Sequence, residues 1–87
     1  MTLAHIRKAV EMTTHPKLSQ MLALLIEHGG LTINAAAPLL DLPRFVALRF
    51  ADHLVRLGYA TRAQDERYFA TMSGRGIDAV MRSDRLQ

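Results

Sequence analysis

The spacing of apolar residues changes at Gly58, and this change constrains the fold more than any other feature of the sequence. Before Gly58, apolar side chains recur every three or four residues, which is the period of an amphipathic helix. After it, residues 59–63 and 67–70 lose that spacing, and the polar pair Asp65 and Glu66 lies between them as a turn, which predicts a β-hairpin. The sequence therefore predicts a mainly α-helical domain with one small β-hairpin.

The most strongly patterned helix begins at Pro16, a residue favoured in the first turn because it has no backbone N–H to leave unpaired. Its apolar stripe consists of Leu18, Met21, Leu22, Leu25 and Ile26. Gly29 and Gly30 supply the left-handed conformation that ends helices. A shorter helix is predicted before it, at residues 2–12. The apolar residues of that helix are Leu3, Ile6 and Val10.

Two short elements are predicted after Gly30. Residues 31–33 are expected to add a short strand to the edge of the sheet, and residues 34–40 to form a brief helix. Pro38 conflicts with that helix, because a proline beyond the first turn clashes with the preceding carbonyl groups. The helix is therefore expected to start late or to be irregular.

A turn at residues 41–43 leads into the next helix, residues 44–57, which Pro43 can open and which ends at Gly58. At about 100° per residue, the side chains of this helix separate into two faces. The face predicted to be buried carries Ala47, Phe50, Ala51, Leu54 and Leu57. The opposite face carries Phe45, Arg49, Asp52, His53 and Arg56. The two alanines leave room for another helix to approach closely.

A last helix is predicted after the hairpin, capped by Thr71 or Ser73, and residues 82–87 are expected to fray as a tail. Its apolar stripe consists of Ile77, Val80 and Met81. The predicted order is helix, helix, short strand, helix, helix, two-stranded hairpin and helix. An 87-residue chain has room for one domain, residues 1–87, with residues 1–14 as an N-terminal helix and possible dimer arm.

Composition excludes several classes of protein. Hydrophobic residues make up 49% of the chain, which argues against disorder, and there is no cysteine for a disulfide or a thiolate metal site. No apolar run approaches the roughly 20 residues that span a bilayer, and the first residues lack the pattern of a signal peptide, so a cytoplasmic protein is expected. The four histidines lack metal-ligand spacing, and no motif of a catalytic or cofactor site is present. We expect no enzyme activity, no cofactor, no metal and no small-molecule ligand.

Arginine accounts for nine of the eleven basic residues, and its planar side chain fits phosphate groups and guanine edges. The net charge is only +3, and GC-rich coding DNA also favours arginine. The arginine content can therefore reflect either nucleic-acid binding or the base composition of the gene, and the positions of the arginines must decide between the two.

Four segments resemble winged helix-turn-helix regulators of the multiple-antibiotic-resistance-regulator (MarR) type. Residues 31–34 (LTIN) resemble the segment that leads into the second helix of that motif, and residues 42–44 (LPR) the turn before its recognition helix. Residues 53–59 (HLVRLGY) resemble the end of the recognition helix, and residues 68–76 (YFATMSGRG) the return strand of the wing and the start of the next helix. The resemblance spans residues 18–81.

The resemblance implies sequence-specific binding of duplex DNA by a small transcriptional regulator. Residues 44–57 would enter the major groove as the recognition helix, and residues 59–70 would lie on the DNA backbone or in a minor groove as the wing. Arg44 and Arg49 are the first candidates for base contacts, and Arg56 for a phosphate. The implied DNA-binding residues are Asn34, Arg44, Phe45, Arg49, His53, Arg56, Arg62 and Arg67.

Each of these assignments has an alternative. Arg49 and Arg56 lie three and four residues from Asp52 and can pair with it on a solvated face. Asp65 and Glu66 at the tip of the wing either repel phosphate or orient the arginines beside them.

The whole function also has an alternative, a winged helix that binds a protein partner and no DNA, with Phe45 and Leu48 in the contact surface. A homodimer is expected in the DNA-binding case. The dimer surface would include Leu3, Ile6, Val10, Ile77, Val80 and Met81. The alternative is that these residues pack on the core of their own chain.

Overall fold

The computed structural model describes Met12 and residues 15–85, which form four helices and one antiparallel hairpin. The helices are α1 (Pro16–Glu27), α2 (Ile33–Leu39), α3 (Arg44–Leu57) and α4 (Met72–Arg85). The strands β1 (Ala60–Arg62) and β2 (Tyr68–Ala70) stand between α3 and α4. The predicted class, mainly helical with a small hairpin, is confirmed. The predicted helix at residues 2–12 lies outside the described residues except for Met12, which is completely buried.

Helix α1 follows its prediction closely. It begins at Pro16, and the chain turns away after its end at Gly29 and Gly30, which have φ values of +66° and +109°. The residues of its stripe that are buried are Leu18, Met21, Leu22 and Leu25. Lys17 reaches across to the end of α2, where its Nζ donates to the carbonyl oxygen of Leu40 at 2.7 Å.

Helix α2 starts earlier than the sequence predicted, so the expected strand at residues 31–33 is wrong in large part. Thr32 caps the helix by accepting a hydrogen bond from the N–H of Ala35 at 3.3 Å, and Ile33 is already helical. Leu31 alone pairs with the sheet, through a bridge to Tyr68. The expectation that Pro38 delays the helix is also wrong. Pro38 lies in the last turn, where its missing N–H removes one hydrogen bond next to the natural end of the helix.

Helix α3 has the predicted bounds and the predicted buried face. It ends at Gly58, whose φ of +83° is the left-handed conformation expected of a glycine stop. Pro43 caps the helix from outside instead of occupying its first position. Ala47 and Ala51 are fully buried, and their small side chains let α1 and α2 pack closely on α3. The other buried residues of this face are Leu54 and Leu57, while Phe50 is half-buried.

The hairpin is shorter than its prediction, with three residues in each strand. Its register pairs Ala60 with Ala70 and Arg62 with Tyr68. Glu66 supplies the positive φ, +67°, that the connection needs. Because Leu31 pairs with Tyr68 on the other side of β2, the hairpin is tied to the segment between α1 and α2.

Helix α4 is joined to the end of α3 by Thr71, which settles the choice between the two predicted caps. The Thr71 hydroxyl accepts from the N–H of Gly74 at 3.1 Å and donates to the carbonyl oxygen of Gly58 at 2.7 Å. Gly74 packs so closely on the chain after α3 that a Cβ there would collide with the carbonyl oxygen of Tyr59. This contact fixes the position of α4 behind the hairpin.

The prediction of a frayed tail from residue 82 is wrong for residues 82–85, which continue α4. Asp78 is almost buried, at 8% exposed, and its carboxylate lies 2.8 Å from Nε of Arg82, one turn further along. This ion pair ties residue 82 to the packed part of the helix. No helix in the described part of the chain is long and apolar enough to cross a membrane.

Candidate nucleic-acid interface

Helix α3 presents a basic outer face, opposite the alanines that are packed in the core. We use "α3 outer face" for Phe45, Arg49, Asp52, His53 and Arg56. Four of these five residues are exposed and His53 is half-buried, as the helical projection predicted. Phe45 is the one apolar member of this face, and it is 63% exposed.

Arg44, the first residue of α3, is hydrogen-bonded to Asn34 of α2. Its Nε donates to Oδ1 of Asn34 at 2.7 Å, and both side chains are exposed. The two residues are ten positions apart in the chain, and the close packing of α2 on α3 brings them together. The sequence nominated both residues as separate DNA contacts, and their mutual contact was not predicted.

Asp52 is bonded to the hairpin and not to its neighbouring arginines. Its Oδ1 accepts a hydrogen bond of 2.7 Å from the hydroxyl of Tyr68. Within the described residues, Asp52 forms no ion pair with Arg49 or Arg56, so the alternative in which it neutralises them is wrong. Neither arginine is therefore held in an ion pair with a carboxylate of the described residues.

Tyr68 connects three parts of the molecule. It is only 1% exposed, pairs with both Leu31 and Arg62 through the backbone, and bonds to α3 through Asp52. Burial of the hydroxyl, reinforced by its hydrogen bond to the Asp52 carboxylate, raises the pKa of Tyr68 to about 12. Sequence reasoning placed Tyr68 in the return strand without giving it a role. The sequence signal for this contact was Asp52, an acidic residue on an otherwise basic face of α3.

The two arginines of the hairpin each have an acidic neighbour. Nη2 of Arg62 lies 3.4 Å from Oε1 of Glu66, and Nε of Arg67 lies 3.6 Å from Oδ2 of Asp65. The guanidinium carbon of Arg62 is also 6.0 Å from the centre of the Tyr68 ring. All four charged side chains are more than half exposed, so each pair contributes at most about 1 kcal/mol to stability.

In the described part of the chain, two cavities beside α3 divide six of the eight predicted site residues into two groups. A groove of about 240 Å³ between α2, α3 and the hairpin is lined by Asn34, Arg44 and Arg62, together with Asp52, Glu66 and Tyr68. A second cavity of about 380 Å³ lies between α3 and the start of α1. Its polar lining residues are His15, Arg49, His53 and Arg56. Arg67 lines neither of them, and neither does Phe45.

No set of three histidine, cysteine, aspartate or glutamate side chains that could hold a metal ion occurs among the described residues. No protein-family model and no curated protein matches this chain. The absence of a cofactor and of enzyme activity stays a prediction, as does the resemblance to MarR-type regulators.

Proposed function

We propose that this chain is a winged helix-turn-helix domain that binds duplex DNA sequence-specifically and acts as a small transcriptional regulator in the cytoplasm. In this proposal α3 is the recognition helix and the β1–β2 hairpin is the wing. The order of the described elements supports it, since α2 packs on α3 and a hairpin follows directly. Leu31 would then supply the short third strand of such a sheet through its bridge to Tyr68.

The observation that carries the proposal is the charge of α3. Arg44, Arg49 and Arg56 are all exposed on a helix whose other side is buried, and none of them has a carboxylate partner among the described residues. A helix of 14 residues is about 21 Å long, and the major groove, about 12 Å wide, admits one helix. Unpaired arginines on such a helix are suited to phosphate oxygens and to guanine edges.

The remaining predicted contacts take lesser roles. Phe45 beside Arg44 can pack on a thymine methyl group, and His53 lies close enough to Arg56 on the helix to add a contact. Arg62 and Arg67 would approach the DNA backbone or a minor groove from the hairpin. Their acidic neighbours reduce the positive charge that they present, so the hairpin is expected to contribute less than α3.

The proposed active form is a homodimer, because a two-fold symmetric protein reads two half-sites and gains affinity from both. Of the residues assigned to the dimer surface, Val80 is 57% exposed, whereas Ile77 and Met81 are half-buried and pack against the core of their own chain. The other residues assigned to it, Leu3, Ile6 and Val10, lie outside the described residues.

The proposal is tested by titrating the purified protein into labelled random-sequence duplex at low salt and then at rising salt. Micromolar binding that weakens steeply with salt is expected, because arginines that contact phosphates release counterions. The variant Arg44→Ala/Arg49→Ala should bind about tenfold to a hundredfold more weakly. Arg75→Ala, which removes one exposed arginine on α4, is a control for loss of positive charge outside α3. A folded protein that does not bind at low salt would disprove the proposal.

The exposed side chain of Phe45 favours a second function, binding of a protein partner. Phe45 is 63% exposed, and Leu39, near the end of α2, is 53% exposed. The paired charges of the hairpin also suit a protein surface better than phosphate. Partner binding that is insensitive to salt and is lost in Phe45→Ala, without any binding of duplex DNA, would select this function.

A further inference from the structure

The Asn34–Arg44 pair limits how Arg44 can be used. Arginine Nε carries one hydrogen and can only donate, so the amide atom that faces it at 2.7 Å is the oxygen of Asn34. That bond occupies the side edge of the guanidinium group, formed by Nε and one terminal nitrogen. The end edge, with Nη1 and Nη2, is left for a ligand.

Asn34 holds this bond from a fixed position. It follows Thr32, whose side chain caps α2, and Ile33, which is buried. On the next turn, Ala36 and Ala37 are buried against the core. The amide therefore belongs to a packed helix, and it restrains an arginine side chain that would otherwise rotate about several bonds.

The pair also preserves charge. An amide accepts the Nε hydrogen without carrying a negative charge, so Arg44 is oriented but not neutralised. Arg62 illustrates the opposite case, because its partner is the carboxylate of Glu66 at 3.4 Å. Both members of the Asn34–Arg44 pair are exposed, so a ligand can reach the end edge directly.

We infer that Arg44 reads one guanine in the major groove with Nη1 and Nη2, and that Asn34 is the positioning residue that orients it. Two parallel donors require two adjacent acceptors, and guanine alone presents these there, as O6 and N7. Adenine, cytosine and thymine each offer at most one acceptor at the corresponding edge. This inference rests on the proposed function, and it gives Asn34 a positioning role where the sequence nominated it as a DNA contact of its own.

The test begins by selecting bound sites from a random duplex pool with the full chain. Affinities are then measured for the selected site and for every single-base change in it. The wild-type protein should prefer one guanine over the other bases by about fivefold to 150-fold, the usual range for a two-bond arginine contact. Arg44→Ala should remove the preference at this position and leave the others unchanged.

Asn34 is tested by its effect on that preference and not by affinity alone. Asn34→Ala should reduce discrimination at the same position by about twofold to tenfold. It should have no further effect when Arg44 is already alanine. Asn34→Asp keeps an oxygen acceptor for Nε, so it should restore the preference while its negative charge weakens binding to every sequence.

A measurement on the free protein checks the pair without DNA. The ¹⁵Nε–H resonance of Arg44 in an NMR spectrum should be resolved in the wild-type protein, shift in Asn34→Ala and return toward its first position in Asn34→Asp. Because both side chains are exposed, the variants should keep the fold, which the remaining spectrum reports.

The possible failures are distinguishable. If Asn34→Ala weakens binding equally for all sequences, Asn34 contacts phosphate and the positioning role is wrong, while DNA binding stands. If no guanine preference depends on Arg44, the assigned base contact is wrong, and DNA binding again stands. If the folded wild-type protein binds no duplex DNA, the proposed function and this inference both fail.

Discussion

The arginines of α3 and those of the hairpin are alike in exposure and different in partners. Helix α3 holds three arginines and one aspartate, a formal charge of +2 out of the +3 of the whole chain. The hairpin with its connection, residues 60–70, holds two arginines, one aspartate and one glutamate, and its formal charge is zero. Arginine content alone would have ranked the two regions as similar.

The difference follows from where the acidic side chains are directed. Asp52, the one acid of α3, is bonded to the Tyr68 hydroxyl and leaves its arginine neighbours unpaired. Asp65 and Glu66 face the arginines of their own hairpin, at 3.6 Å and 3.4 Å. A cationic surface is therefore defined by the partners of its arginines, and α3 is the region better suited to a polyanion.

The largest effect is expected from disrupting the contact of α4 with Tyr59, which lies between α3 and the hairpin. In Gly74→Ala the new Cβ would collide with the backbone oxygen of Tyr59, which joins α3 to β1. Backbone cannot give way as a flexible side chain does, so the free energy of unfolding should fall by about 3 kcal/mol. Chemical denaturation measures the change.

Gly76→Ala is the matched control for Gly74→Ala. It lies on the same helix, and a Cβ there meets nothing within 4 Å. It should raise the free energy of unfolding by about 0.5–1 kcal/mol, because alanine is the better helix former. Equal effects of the two substitutions would contradict the close packing of α4 on Tyr59.

The comparison itself is tested by removing two arginines from each region. Arg49→Ala/Arg56→Ala should weaken binding to duplex DNA by about tenfold to a hundredfold and reduce the slope of log affinity against log salt by about one, since Arg56 is the assigned phosphate contact. Arg62→Ala/Arg67→Ala removes the same charge, but these arginines are already paired, so affinity should fall by only about threefold. Fluorescence titrations at several salt concentrations give both numbers. A larger loss from the hairpin variant would reverse the proposed ranking.

Loss of the hydrogen bond between Tyr68 of the hairpin and Asp52 of α3 should have a smaller effect on stability, and this effect depends on pH. Tyr68→Phe removes the hydrogen bond to Asp52 and should lower the free energy of unfolding at neutral pH by about 1 kcal/mol. The folded pKa of about 12 exceeds the ordinary tyrosine pKa near 10, so folding disfavours the ionised form. The contribution is therefore complete below about pH 10 and is lost as the pH rises from 10 to 12.

Denaturation curves collected from neutral to alkaline pH test this dependence. The wild-type protein should lose stability in that window, and Tyr68→Phe should not show the same loss. Asp52→Asn keeps an acceptor for the hydroxyl without its charge, so it should retain part of the dependence, because burial is the larger cause of the raised pKa. Identical alkaline profiles for the wild-type protein and Tyr68→Phe would show that another group controls the transition.

Local sequence signals predicted the start of α1 and the end of α3 correctly. Pro16 marks the start of α1, and Gly58 marks the end of α3 with the left-handed backbone that its position suggested. These are properties of single residues, and they need no knowledge of the rest of the fold. Prediction failed where two local signals competed. Thr32 could continue a strand or cap a helix, and Pro38 lies in a segment that otherwise favours a helix. The order of residues does not show which of two such signals is the stronger.

The candidate site was predictable as a set of residues and not as a set of contacts. The helical projection placed Arg49 and Arg56 on the exposed face correctly, because a period of 3.6 residues fixes a face. It could not show that Asp52 turns to Tyr68, which is 16 residues away, or that Asn34 meets Arg44. Such contacts arise from how the elements pack, and the chain offers several partners of the right chemistry for each.

The smallest effect is expected from a substitution that gives the hairpin a positive charge closer to that of α3. Glu66→Gln leaves the size of the side chain unchanged and removes the carboxylate that lies 3.4 Å from Arg62. The pair is exposed, so the free energy of unfolding should change by less than about 0.5 kcal/mol. Affinity for duplex DNA should increase by about twofold to fourfold at low salt, because Arg62 is released and one repulsive charge is lost. Titrations at low and high salt measure it, and the gain should disappear in Glu66→Gln/Arg62→Ala. An unchanged affinity would mean that the hairpin does not approach DNA, and α3 would then carry the whole of the proposed contact.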